Sequence, residues 1–243
     1  MSFTTVIILT ILAAYIMMGL AIYGWLQRSA GQWTLPFVAI CWGATIWLFA
    51  YSLEIITTEL GVATWMAKIE YLGIATIPLA WFILSLFYTN PSFSLTRNWI
   101  ILLSLIPAIT ILLVFTNEWH GFIWRSLSVE DNGSFSVLAP EYGFWFQIHF
   151  VYSYLLLLLG TLIMFRAIFM KRKAQRWLSL LMVFGPIFPW LGNIIYLSDV
   201  NPVPLLDWTP LGFAISGMIY AIAAFGLGLF DPLSENLNEL PKA

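Results

Sequence analysis

Long apolar runs alternate with short polar breaks along the whole chain. Seven runs stand out, at 3–26, 33–56, 64–89, 99–116, 146–169, 177–197 and 210–230. Each approaches or exceeds the roughly 20 apolar residues that let a helix cross a hydrocarbon layer. Pro78, Pro107, Pro186 and Pro189 fall inside these runs. In lipid they predict kinks rather than breaks, because neighbouring helices can take up the freed backbone groups. Trp33, Trp65, Trp99, Trp145, Trp177 and Trp208 lie near run ends, where an indole ring suits the headgroup layer. The first run has no basic residue ahead of it and exceeds a signal-peptide core, so it reads as a retained helix.

Composition sharpens the picture. Hydrophobic residues make up 61% of the chain and charged residues 9%, against roughly a quarter charged in a soluble domain. The expected class is therefore an all-α integral membrane protein, a seven-helix bundle. Residues 1–230 form that bundle and 231–243 a polar tail. The lone Cys41 excludes an intramolecular disulfide.

Charge then orients the bundle. Arg28, Arg97, Lys171, Arg172, Lys173 and Arg176 sit around the breaks after the first, third and fifth runs. With Arg166 and Lys242 they place eight basic residues on one side, against Lys68 and Arg125 on the other. The positive-inside rule puts the N-terminus outside and the tail in the cytoplasm. The longest outer break, 117–145, carries Trp119, His120, Phe122, Trp124 and Phe135. So aromatic a loop is expected to fold back as a cap, with a turn or hairpin near 130–134. The break at 198–209 is proline-rich and stiff, and holds Asp199 and Asp207.

Candidate chemistry gathers at the outer end. Trp47, Tyr51 and Glu54 share one face of the second helix, and Glu70, Ile74, Pro78 and Trp81 form a comparable stripe on the third. One reading is the polar floor of a pocket for an amine or other polar ligand under aromatic walls. The other is a structural pair, Glu54–Lys68 or Glu70–Lys68, pinning the two helices together. His149, with Tyr152 one turn on, and His120 lie on the same side, as hydrogen-bonded residues or as proton sensors. Two histidines without a third ligand make a poor zinc site. Pro186, Pro189, Trp190 and Asn193 predict a kink in the sixth helix whose freed carbonyls Asn193 or water could meet. Gly212, Ser216, Gly217 and Ala221 allow close helix packing, in the bundle or across a dimer. The candidate ligand set is Trp47, Tyr51, Glu54, Lys68, Glu70, Tyr71, His149, Tyr152, Trp190 and Asn193.

Absences narrow the function. No lysine lies in the last run, so a retinal Schiff base at the usual rhodopsin position is excluded. No Walker-type loop, His-Glu-x-x-His helix or Gly-x-Ser-x-Gly turn occurs. No cofactor, metal or nucleic-acid partner is expected, and no nucleophile–base pair suggests an enzyme. A transporter or channel is the alternative class, but the inner halves of the helices carry almost no ionisable residue to form a relay.

Several stretches occur together in order: Ala50-Tyr51-Ser52-Leu53-Glu54, Lys68-Ile69-Glu70-Tyr71-Leu72-Gly73-Ile74, Phe87-Tyr88-Thr89, Thr116-Asn117, Tyr152-Ser153-Tyr154-Leu155, Leu206-Asp207-Trp208-Thr209-Pro210 and Leu229-Phe230-Asp231. With Pro78, His120, Trp124, Pro186, Asn193 and Tyr196, they resemble the N-terminal seven-transmembrane sensor region of bacterial and archaeal histidine kinases, from about residue 20 to 232. The resemblance implies a sensory input module of the prokaryotic inner membrane. It would detect an external or membrane ligand and signal through the seventh helix, within a homodimer. The cytoplasmic output domain, a kinase or cyclase in cis or trans, would lie outside this chain.

Overall fold

A computed structural model describes residues 3–131, 136–170, 173–198, 200–203 and 205–230. The expected tail, Asp199 and the tip of the 130–134 turn lie outside the described residues. All seven apolar runs are helical and long enough to cross a bilayer. They form α1 (Phe3–Leu26), α2 (Thr34–Glu54), α3 (Leu60–Thr89), α4 (Arg97–Phe115) and α5 (Phe144–Met170). The sixth span is split into α6 (Lys173–Phe184) and α7 (Ile187–Tyr196), and the seventh is α8 (Thr209–Ala221) with a wider turn at Ile222–Gly226. Gly228 ends that span in the left-handed region, φ 63°, while Leu229 N–H closes back on the Ala223 carbonyl. Lipid suits the outer surface, which exposes Ile8, Leu12, Ile100, Leu112, Leu155 and Leu162.

The helices close into a ring. The sequence pairs α1–α2, α2–α3, α3–α5, α5–α6 and α7–α8, and α8 returns to α1. α4 stands outside the ring, against α3 and α5. Only Pro107, Thr110 and Val114 on it are buried. The closest approach is between α2 and α3. There a Cβ on Gly73 would run into the Gly43 carbonyl oxygen, so only glycine permits this contact. A second polar tie holds α1 to α2, the hydroxyl of Ser52 donating to Thr10 Oγ1 at 2.8 Å.

The break at Gly185–Pro186 follows from proline chemistry, since Pro186 has no N–H to offer and crowds the preceding turn. The Gly185 carbonyl, whose helical donor position is taken by Pro189, is met by Ser216 Oγ of α8 at 2.5 Å. Asn193, expected to serve there, instead accepts from Tyr154 Oη at 2.6 Å. Gly212 lies against the Phe188–Pro189 backbone and Gly217 against Ile16 of α1. The small residues of α8 that these contacts involve therefore pack within the bundle.

The chain is not wholly helical. The outer break forms a 3₁₀ turn (Asn117–Trp119) and an antiparallel hairpin, β1 (Trp124–Asp131) with β2 (Ser136–Tyr142), bulged at Arg125. Alternation explains β1: Leu127 and Val129 turn inward while Ser126, Ser128 and Glu130 face out. Asn117 anchors the hairpin. Its Oδ1 accepts from Ile123 N and Trp124 N at 3.0 and 3.1 Å, and its Nδ2 donates to the Trp124 carbonyl at 2.9 Å. Of the six tryptophans assigned to the headgroup layer, Trp65, Trp99 and Trp177 are exposed. The others turn inward: Trp33 stacks on Phe230, Trp145 donates to Thr110 and Trp208 to Asn201.

Candidate functional site: an acidic, aromatic cavity under the hairpin

A cavity of about 190 Å³ opens inside the ring at the end covered by the hairpin. α2 contributes Trp47, Tyr51 and Glu54, and α3 contributes Glu70, Tyr71 and Trp81. α5 adds His149, Ser153 and Tyr154, α7 adds Trp190, Asn193 and Tyr196, and α8 adds Thr209 and Phe213. Trp124, Leu138 and Tyr142 of the hairpin roof it. Of the ten candidates named from sequence, eight line this one space. Lys68 and Tyr152 do not.

Lys68 is buried at 3% side-chain exposure, and its ammonium pairs with Glu118 at 2.5 Å, at the root of the hairpin. It also sits 5.0 Å from the Trp65 ring centre. The expected Glu54–Lys68 or Glu70–Lys68 pair is thus replaced by a clasp between α3 and the cap. The sequence hides it because Glu118 lies fifty positions away. Tyr152 points outward, donating to the Leu103 carbonyl of α4 at 2.5 Å.

With Lys68 engaged elsewhere, no Lys or Arg is among the described residues that line the cavity, yet three carboxyl groups are: Glu54, Glu70 and Asp207. Glu54 and Glu70 face this space from neighbouring helices, and no donor among the described residues meets Glu70 Oε1. Asp207 lies outside the spanning segments, in the turn before α8. Its Oδ1 accepts from Thr209 N at 2.8 Å, and its own N–H donates to Tyr51 Oη at 3.1 Å. Burial pushes its carboxyl up to about 6. From sequence Asp207 stands as an outer acid and within the 206–210 stretch, but not among the candidate ligand residues. Its place in a Leu-Asp-Trp-Thr-Pro turn just ahead of a span was the available signal.

The histidines are internally matched. Thr110 Oγ1 donates its one proton to the Ile106 carbonyl at 2.8 Å and accepts from Trp145 Nε1 at 2.9 Å. It can therefore only accept from His149 Nδ1, 3.4 Å away. That leaves His149 Nε2 to accept from Ser153 Oγ at 3.3 Å. His120 is held likewise, Nδ1 accepting from Phe122 N at 3.0 Å and Nε2 facing Thr116 Oγ1 at 3.1 Å. Among the described residues no cluster of three His, Cys, Asp or Glu has a geometry suited to a metal ion.

Five buried side-chain polar atoms among the described residues lack a hydrogen-bond partner: Thr34 Oγ1, Trp47 Nε1, Glu70 Oε1, Trp190 Nε1 and Thr209 Oγ1. All but Thr34 belong to residues lining the cavity. Buried polar groups are normally paired, because leaving one unmatched costs about 1–3 kcal/mol. Leu205, another lining residue, is the only described non-glycine residue with positive φ, at 65°. Such strain concentrates at functional sites.

Fold and site together define a multi-pass membrane protein with an aromatic-walled cavity carrying three carboxyl groups between its helices. The chain belongs to the family described as the N-terminal 7TM region of histidine kinase, which matches residues 9–233. The module is thus a membrane sensory region rather than a catalytic domain. No curated protein and no solved structure matches the chain.

Proposed function

We propose that this module senses a small ligand in the cavity beneath the hairpin and transmits its binding through α8. The reading rests chiefly on the concentration of unpartnered buried polar atoms around a single space. In a static bundle they would be scattered or matched. A ligand that meets them in one arrangement of the helices and not in another shifts the population between the two. α8 suits transmission because it carries Thr209 and Phe213 at the cavity, Ser216 at the sixth-span break and packing against α1 further along.

The basic residues set the orientation: N-terminus outside, hairpin outside, and the end of α8 in the cytoplasm of a prokaryotic cell. There it meets an output domain, a kinase or cyclase in cis or trans, in a homodimer surrounded by lipid. The test needs no known ligand. Ala67, buried and on the cavity wall, is changed to Phe to fill the space. Spin labels on Met170→Cys and Phe225→Cys, in a Cys41→Ser background, report the inner ends of α5 and the seventh span. Filling the cavity is expected to shift the distance distribution between them. An unchanged distribution in a folded variant would overturn the reading.

A further inference from the structure

We infer that the ligand is a small organic ammonium ion, held by Glu54, Glu70 and Asp207. This rests on the cavity being a ligand site, as proposed above, and adds the chemical class.

Three carboxyl groups face one space whose described lining contains no Lys or Arg. The nearest candidate, Lys68, is committed to Glu118. His149 is the only imidazole on the wall, and both its nitrogens are engaged by Thr110 and Ser153. Carboxylates away from water need a counter-charge, and the fold withholds one. Acids alone would not define a site. Independent of them, Trp47 and Thr209 are 7% and 3% exposed, line the same space, and carry polar atoms with no partner.

The available groups match the ligand's parts. Glu70 Oε1 lacks a donor, which an ammonium N–H supplies. The faces of Trp47, Tyr51, Trp81 and Trp190 favour a cation beside them over an anion. Trp190 Nε1 lacks an acceptor, which a hydroxyl or carbonyl on the ligand provides. An anionic ligand meets only repulsion from the three acids. A quaternary ammonium leaves Glu70 Oε1 unmatched.

An ammonium ion drives the carboxyl groups it meets to their charged forms. Any proton they carry, as Asp207 does in part near pH 6, leaves to solvent, so ligand uptake is coupled to proton release. Besides Asp207, the titratable groups facing the acid pair are Tyr51 of α2, Tyr71 of α3, Tyr142 of β2, His149 of α5 and Tyr196 of α7. The tyrosines stay neutral over the range tested, and the His149 nitrogens are matched by its neutral form.

The whole chain in lipid nanodiscs is titrated with ethanolamine, putrescine and 2-phenylethylamine. Each is compared with its neutral counterpart, ethylene glycol, 1,4-butanediol and 2-phenylethanol. Quenching of intrinsic tryptophan fluorescence reads binding, and calorimetry in buffers of different ionisation enthalpy reads proton release. At least one amine is expected to saturate, about tenfold or more tighter than its alcohol, with proton release and with affinity rising from pH 5 to pH 8. Glu70→Gln is expected to weaken amine binding at least about tenfold and reduce the release. Asp207→Asn serves as the second variant should the first not fold, and Glu59→Gln, exposed and outside the cavity, leaves affinity unchanged. The inference falls if no amine saturates, if alcohols bind as well as amines, or if neither carboxamide variant weakens a folded protein. Tight binding of a neutral compound would sink the amine and keep the cavity as a ligand site. Failure of the Ala67→Phe experiment would instead remove the signalling role.

Discussion

Lys68 is a lysine ammonium almost wholly covered by protein, and its counter-ion Glu118 is 59% exposed at the surface. The hydrogen bond from Lys68 holds the Glu118 carboxyl below its usual value of 4.5. A depressed carboxyl contributes stability that is present above about pH 4.5 and is lost as pH falls through the lower folded value. Glu118→Gln leaves the ammonium buried with a weaker partner. It is expected to cost about 1–3 kcal/mol, read as a lower Tm at pH 7, with the difference from the unaltered chain closing in acid. Asp207 has the opposite sign. Burial raises it from 3.8 to about 6, so its contribution is complete below pH 3.8 and gone above pH 6. Asp207→Asn keeps the acceptor for Thr209 N. It is expected to raise stability by about 1–2 kcal/mol at pH 7 and by little at pH 4, checked by thermal unfolding at the two pH values. A carboxyl retained at a cost in stability fits a functional group better than a structural one.

Among elements, two contacts define the bundle and neither is visible as periodicity. Gly73 meets the Gly43 backbone, so Gly73→Ala must push α2 and α3 apart. The expected loss is about 1–3 kcal/mol, with a disturbed cavity, since Trp47 and Glu70 sit one turn from these glycines. Unfolding of the reconstituted protein in increasing dodecyl sulfate measures it. Ser216→Ala removes the donor to the Gly185 carbonyl at the sixth-span break. A loss of about 0.5–1.5 kcal/mol is expected in the same assay. The helices themselves were legible from sequence, because spanning length and apolarity mark them whatever they pack against. The split of the sixth span was legible from Pro186. Its hydrogen-bond partner was not, because Ser216 is distant in sequence and acts only once α7 and α8 meet. The hairpin was legible in part, through its turn residues near 130–134, while the pairing of its strands depends on Asn117 and the helices beneath it.

At the scale of the whole molecule, the orientation proposed from the basic residues is testable directly. In a Cys41→Ser background, Glu59→Cys is expected to react with a membrane-impermeant maleimide on intact cells, and Ser92→Cys only after lysis. Both positions are exposed at opposite ends of α3. The reverse labelling would invert the sensor and place the cavity inside. Which residues line the cavity was readable where they lie on stripes of single helices, as for Trp47, Tyr51 and Glu54. Asp207, Thr209, Trp124 and Tyr142 come from a turn, a helix start and the hairpin, whose approach depends on how the ring closes. Sequence alone therefore determined the solvent, the seven spans and the family. These depend on hydrophobicity, charge and local order, which act on each segment separately. Only tertiary structure decided that Lys68 leaves the acids for Glu118, that α4 stands outside the ring, and that three carboxyls share one unneutralised space. These are pairings between distant segments, and the choice among equally charged partners is made by packing geometry.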